Sequence, residues 1–162
     1  MKLLPLFAWL AAVVLLVSCS PSGHPNAATR KPNREDLIAD YVPTEETLER
    51  LKSDGYPDQE IVITLQNDGG LSLSNIPDCW LSLGGDPHAK FDSGIGRWQL
   101  AKNNAVWAVS FKITKFRADS ANYTDKGVDY PGCAVVLHNQ KPHGLSLSVA
   151  AGDKGWLEFR HK

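Results

Sequence analysis

This chain has few of the spacings on which a catalytic or nucleic-acid-binding reading would rest. Its 162 residues include only three cysteines, Cys19, Cys79 and Cys133, and no Cys-x-x-Cys pair, which excludes the usual thiol-redox motif. No basic run is longer than Arg30-Lys31, and the formal net charge is −1. The aromatic residues fall on apolar faces and do not alternate with Lys and Arg, so no nucleic-acid partner is expected. A Gly-x-Ser-x-Gly elbow and a Ser-x-x-Lys pair are both missing, which removes the commonest arrangements for an activated serine. Gly94-Ile95-Gly96 lacks the third glycine and the following helix of a phosphate-cradling loop. No His-x-x-x-His or EF-hand spacing is present, although Asp119, Asn122, Asp125 and Asp129 supply oxygen atoms in one polar stretch. No enzyme, cofactor or metal is expected from these residues, and His24, His88, His138, His143 and His161 read as scattered solvent histidines.

What is present begins at the N-terminus. Lys2 is followed by an apolar run over residues 3–17, interrupted only by Pro5 and too short to span a bilayer comfortably. The run closes on Leu16-Val17-Ser18-Cys19, which resembles the lipobox of bacterial lipoprotein signal peptides. The resemblance implies that residues 1–18 are removed and that the Cys19 thiol carries a diacylglyceryl group, with palmitate-type acylation of the freed amine. Two or three acyl chains, at about 0.8 kcal/mol per buried methylene, hold a protein on its membrane where one chain binds only reversibly. Ser20, in place of Asp, resembles the outer-membrane default of Gram-negative lipoproteins. In a Gram-positive cell the same anchor would sit on the outer face of the plasma membrane. A conventional signal peptide cut elsewhere, or an uncleaved apolar anchor, is the alternative.

With Cys19 acylated, Cys79 and Cys133 remain. Exported chains fold in an oxidising compartment, so the first expectation is a Cys79–Cys133 disulfide, and the second is two buried free thiols. The closed loop of roughly 54 residues would contribute on the order of 4 kcal/mol in the chain-entropy model. Residues 19–36 hold three prolines and no large apolar side chain, and read as a lipidated, flexible tether ahead of a single domain over residues 37–162.

Within that domain, Thr44 is placed to cap one short N-terminal helix, with Glu45 and Glu46 in its first turn, Leu48 and Leu51 on one face and Gly55 as terminator. From Glu60 the hydrophobic period changes to two. Ile61, Ile63 and Leu65 share one face, Asp68-Gly69 supplies a turn, and Leu71 and Leu73 alternate with Ser72 and Ser74 beyond it. Further strands are predicted over residues 97–101, 105–113, 133–138, 144–149 and 156–161. About seven short strands predict a mainly β domain, an antiparallel meander forming a small barrel or sandwich.

The order Tyr41-Val42-Pro43-Thr44, Asp68-Gly69, Asn75-Ile76-Pro77-Asp78-Cys79-Trp80, the stretch from Phe91 through Gly94-Ile95-Gly96-Arg97-Trp98, and Gly152-Asp153 before the last strand resembles a group of small, uncharacterised, lipocalin-like bacterial proteins. The resemblance implies the fold and no activity. Phe91-Asp92-Ser93-Gly94 also resembles half of an aspartic-protease core, but its single copy cannot supply the two carboxylates that share a proton. The expected role is therefore an envelope protein-interaction module of assembly, inhibitor or immunity type. The alternative is a carrier holding a small apolar ligand in the barrel mouth. In either case Trp80, Trp98, Trp107 and Trp156 are the candidate ligand or partner contacts.

Overall fold

The computed structural model describes residues 24–81, 90–103, 105–116, 128–129, 135–149 and 155–162. Among the described residues there are nine strands: β1 (Asp40–Pro43), β2 (Val62–Leu65), β3 (Gly70–Pro77), β4 (Phe91–Asn103), β5 (Val106–Phe116), β6 (Val128–Asp129), β7 (Val135–Leu137), β8 (Leu145–Ser148) and β9 (Trp156–His161). Eight of them close into an antiparallel barrel in the order β1-β2-β3-β4-β5-β7-β8-β9 and back to β1, while the two-residue β6 pairs with β5. A closed ring leaves no unpaired edge.

Seven of the barrel strands lie where the alternation predicts them. The eighth, β1, is the one that shuts the barrel, pairing Tyr41 with Ile63 on one side and with His161 on the other. Its four residues are too few to show a period, and Pro43 at its end masks it further. The helix is likewise not N-terminal to the sheet. α1 (Glu45–Ser53) is inserted between β1 and β2, with Thr44 Oγ1 accepting the Thr47 N–H at 3.3 Å. Gly55, at φ 89°, stops it in the left-handed conformation that glycine adopts without penalty. Thr47 and Leu51 are its buried positions, and Leu48 is only partly covered.

Inward positions of every barrel strand form one core. Ile63, Leu65, Leu71, Leu73, Val109, Ile113, Val135, Leu137, Leu145, Leu147, Leu157 and Phe159 are all buried in the same cluster. A short helix, α2 (Asp78–Leu81), enters from the end opposite the β2–β3 turn. It sets Trp80 inside, edge-on to Phe111 at 6.0 Å between ring centroids. Tyr56 Oη ties this end together by donating to Asp78 Oδ1 at 2.5 Å and accepting the Cys79 N–H at 3.1 Å.

The N-terminal stretch expected to be a tether is folded from His24 onward. Ala28 fills the gap where β5 and β7 diverge: its N–H donates to Leu137 O and its carbonyl accepts from Trp107 N, both at 2.7 Å. Ala27 forms a bridge with His138, and Asn139 N donates to Asn26 O. Residues 31–35 then cross the barrel end, a 3-10 turn at Arg34–Leu37 buries Leu37 fully, and Tyr41 Oη donates to Leu37 O. Small residues at 27 and 28 allow this close backbone approach, and polarity elsewhere in the segment conceals it. Residues 19–23 lie outside the described residues.

Candidate functional site

The strap formed by residues 24–37 builds two features, one on the outer face of the barrel and one at the barrel end that it crosses. The first is a hydrogen-bonded cluster. On β8 and β9, Ser146 and Glu158 are register partners on the outer face, next to Leu145 and Phe159 on the inner one. Glu158 Oε1 accepts from His24 Nε2 at 2.9 Å. Glu158 Oε2 accepts from Ser146 Oγ at 2.6 Å and lies 2.8 Å from His138 Nε2. The two imidazoles stack at 5.4 Å between centroids, and Trp156 stands edge-on to His24 at 5.1 Å. His24 and Ser146 are buried. Burial alone would raise the Glu158 carboxyl, but the hydrogen bonds from His138, Ser146 and His24 outweigh it and hold the group at about 2.

His24, His138 and Glu158 offer ligand atoms within 4.8 Å of one another, a spacing that a divalent transition ion could bridge. The hydrogen bonding argues for another use. His24 Nδ1 accepts the Asn26 N–H at 3.2 Å, so the neutral ring carries its proton on Nε2 and has no lone pair there for a metal. Imidazoles bound to metals show the opposite pattern, with the far nitrogen donating. Ser146 Oγ, 2.6 Å from His138 Nε2 and 3.2 Å from His24 Nε2, already fills the space between the rings. The same placement removes Ser146 as a nucleophile, because its proton goes to Glu158 and its side chain is wholly buried. The cluster is a fastening that holds the strap to the barrel.

The second feature is an open cleft of about 820 Å³ between the strap and the β4–β5 hairpin, bordered by Lys31, Arg34, Glu35, Gln99, Leu100 and Trp107 among others. Lys31 Nζ lies 5.5 Å from the Trp107 ring centroid. The Arg34 guanidinium stacks 4.3 Å above Trp98 and donates to Asn67 O. Trp98 is held flat beneath it because its indole N–H donates to Gln66 O at 2.9 Å.

The four tryptophans thus separate. Trp80 and Trp98 belong to the packed interior, Trp107 borders the cleft, and Trp156 flanks the histidine cluster. They do not line one mouth. The expected Cys79–Cys133 disulfide is not formed: Cys79 is a buried free thiol beneath Tyr56, and Cys133 lies outside the described residues. Burial pushes the Cys79 thiol up, away from reactivity.

The histidines are not scattered in solvent either. Four of the five lie within the described residues: His24 and His138 in the cluster, His143 buried with Nδ1 donating to His138 O at 2.7 Å, and His161 edge-on to Tyr41. His24 and His138 meet because the strap carries His24 across the sheet, a contact with no sequence spacing to announce it. The Phe91-Asp92-Ser93-Gly94 segment is part of β4, where Ser93 Oγ accepts the Asn75 N–H. His88, Asp119, Asn122 and Asp125 fall outside the described residues.

An eight-stranded, up-and-down antiparallel barrel with an external strap is the class of protein that these features define. No protein-family model, curated protein or solved structure matches the chain. Among the described residues no helix is long and apolar enough to cross a membrane.

Proposed function

We propose that this protein is an acylated envelope lipoprotein whose barrel is a solid scaffold for recognition on its outer surface. The observation that carries this reading is the single packed core formed by the described residues. All eight barrel strands point apolar side chains into a single core, with Trp80 inserted from one end, so the interior that would hold a carrier's ligand is taken up by the protein itself. Recognition then falls to the strap and to the cleft at the barrel end. The strand order favours the lipocalin-like resemblance, and the packed core separates this chain from the ligand-carrying use of such barrels.

The strap also supports the anchored reading. If Cys19 is the lipidated residue, only five peptide units separate it from His24, at most about 18 Å of extended chain. Tension on the anchor would reach the barrel through His24 and Glu158, and the domain would ride close to the bilayer in place of swinging on a long tether. Ser146 is buried with its proton given to Glu158, His24 directs its Nε2 proton at the same carboxylate, and the reading is non-enzymatic.

Cys19→Ala tests the anchor. Loss of palmitate labelling and release from the membrane fraction, with an unchanged thermal midpoint, is the expected outcome, and labelling that persists at full strength refutes it. Organic extraction of the purified protein tests the scaffold. No neutral apolar compound should be recovered at stoichiometric yield, and recovery of one would restore the carrier.

A further inference from the structure

The cleft between the strap and the β4–β5 hairpin has the makings of an anion site. Two cations enter it from one side, and each is supported by an indole: Lys31 over Trp107 and Arg34 over Trp98. Such stacking fixes a cation in place while leaving its hydrogen-bond donors directed outward. Arg34 gives one of its five N–H groups to Asn67 O at 3.4 Å. Neither Lys31 nor Arg34 has a carboxylate partner among the described residues, although Glu35 borders the same cleft. The contrast with the exposed Lys141 and Lys162, each paired with an acid, is direct.

Arg97 extends the positive field. The Arg34 and Arg97 guanidinium ends lie 3.1 Å and 3.7 Å from the point where a Cβ on Gly69 would stand, so two like charges crowd one place above the β2–β3 turn. Like charges held this close favour an anion between them or beside them.

The rest of the lining is not ionic. Trp107 and Leu100 give an apolar floor, and Gln99 and Asn33 give neutral hydrogen-bonding groups. The volume, about 820 Å³, lies within the range of sites for small organic ligands. A bare inorganic anion would leave the floor uncovered. A planar guanidinium fork beside an ammonium matches the several oxygens of a phosphate group.

We infer that this cleft binds a phosphate ester, its phosphate held by Lys31 and Arg34 and its organic part lying on Trp107 and Leu100. The inference rests on the surface-recognition reading above and is independent of acylation at Cys19. The ester could come from an anionic lipid headgroup or from a soluble metabolite, and the chemistry of recognition is the same for both.

Titration of the purified full chain in maltoside micelles, followed by tryptophan fluorescence, separates these sources. The probes are inorganic phosphate, glycerol phosphate and short-chain phosphatidylglycerol, with phosphatidylcholine of equal chain length as the uncharged control. Saturable binding of glycerol phosphate or phosphatidylglycerol, at least tenfold tighter than inorganic phosphate and phosphatidylcholine, supports the inference. A further tenfold preference for phosphatidylglycerol identifies the lipid as the source, and equal affinity identifies the soluble ester.

Lys31→Gln, at an exposed position, should weaken binding at least fivefold with no change in thermal midpoint. Arg34→Lys, which keeps the charge and loses the fork, should weaken it as well. Absence of saturation with both esters, or full affinity in both variants, overturns the inference. So does equal affinity for phosphatidylcholine. Cys19→Ala should bind as the parent does, so a failed anchor and a failed cleft give different results.

Discussion

Glu158 accepts a hydrogen bond from His24 across 134 positions of sequence, at 2.9 Å, joining the first described residue to the last strand of the barrel. Because Ser146 and His138 share the same carboxylate, the contact works as a knot of four side chains and not as a single ion pair. A buried network of this kind is worth most when every member is satisfied.

The knot predicts an acid-sensitive strap. The Glu158 carboxyl is depressed in the folded state to about 2 from an ordinary 4.5, so its contribution is present above about pH 4.5 and is lost as pH falls toward 2. The size is roughly 3 kcal/mol, at 1.36 kcal/mol per unit. Denaturant titrations at pH 6 and pH 2.5 should show this loss in the parent and a much flatter dependence in Glu158→Gln. His24→Ala, read by hydrogen exchange, should loosen residues 26–28 first while the inner strands stay protected. Equal acid sensitivity in Glu158→Gln would remove Glu158 as the cause.

Gly96 sits at a register shift in the β4–β5 ladder, and a Cβ there would lie 2.1 Å from the Lys112 carbonyl oxygen. The obstacle is backbone, which cannot swing aside as a side chain can. Gly96→Ala should therefore destabilise by about 2–4 kcal/mol, at or above the usual range for overpacking. Chemical denaturation checks it, and a change below 0.5 kcal/mol would mean that the strands slide to accommodate the methyl group.

Tyr56 holds the other end of the barrel through Asp78 and the Cys79 N–H. Burial and the Asp78 hydrogen bond both raise the phenol, so it stays protonated and keeps donating throughout the neutral and mildly alkaline range. Tyr56→Phe leaves that N–H without its acceptor and should cost about 1–3 kcal/mol. It should also speed alkylation of the Cys79 thiol, which in the parent should react only on unfolding. Mass spectrometry of native and denatured samples provides both readings, and rapid alkylation of the native parent would contradict the buried thiol.

Much of the fold is legible along the chain because its signals are local. Ile63 and Leu65, Leu71 and Leu73, and Phe111 and Ile113 alternate with exposed or half-exposed neighbours, and that period alone assigns them to one face of a sheet. The β2–β3 turn announces itself by Gly69, whose φ of 83° suits glycine, and by the Asp68 side chain, which accepts the Gly70 N–H. The α1 boundaries follow from Thr44 and Gly55 for the same reason. The strap escapes such reading. His24, Ala27 and Ala28 carry no period, and their partners, Glu158, His138 and Leu137, are more than a hundred positions away. Nor does composition distinguish Lys31 and Arg34, lodged over Trp107 and Trp98, from solvated cations.

By itself the sequence determined that this is a β-rich chain with an apolar run over residues 3–17 just before Cys19, because alternation and turn chemistry act between residues a few positions apart. Tertiary structure alone decided that β1 closes the sheet into a barrel, that the described inward side chains meet in one core, and that residues 24–37 are a strap and not a tether. It also decided that Cys79 is a free thiol. Those outcomes depend on which distant backbone groups and side chains meet when a core closes, and such meetings are set by the shape of the whole barrel and leave no periodic trace in the chain.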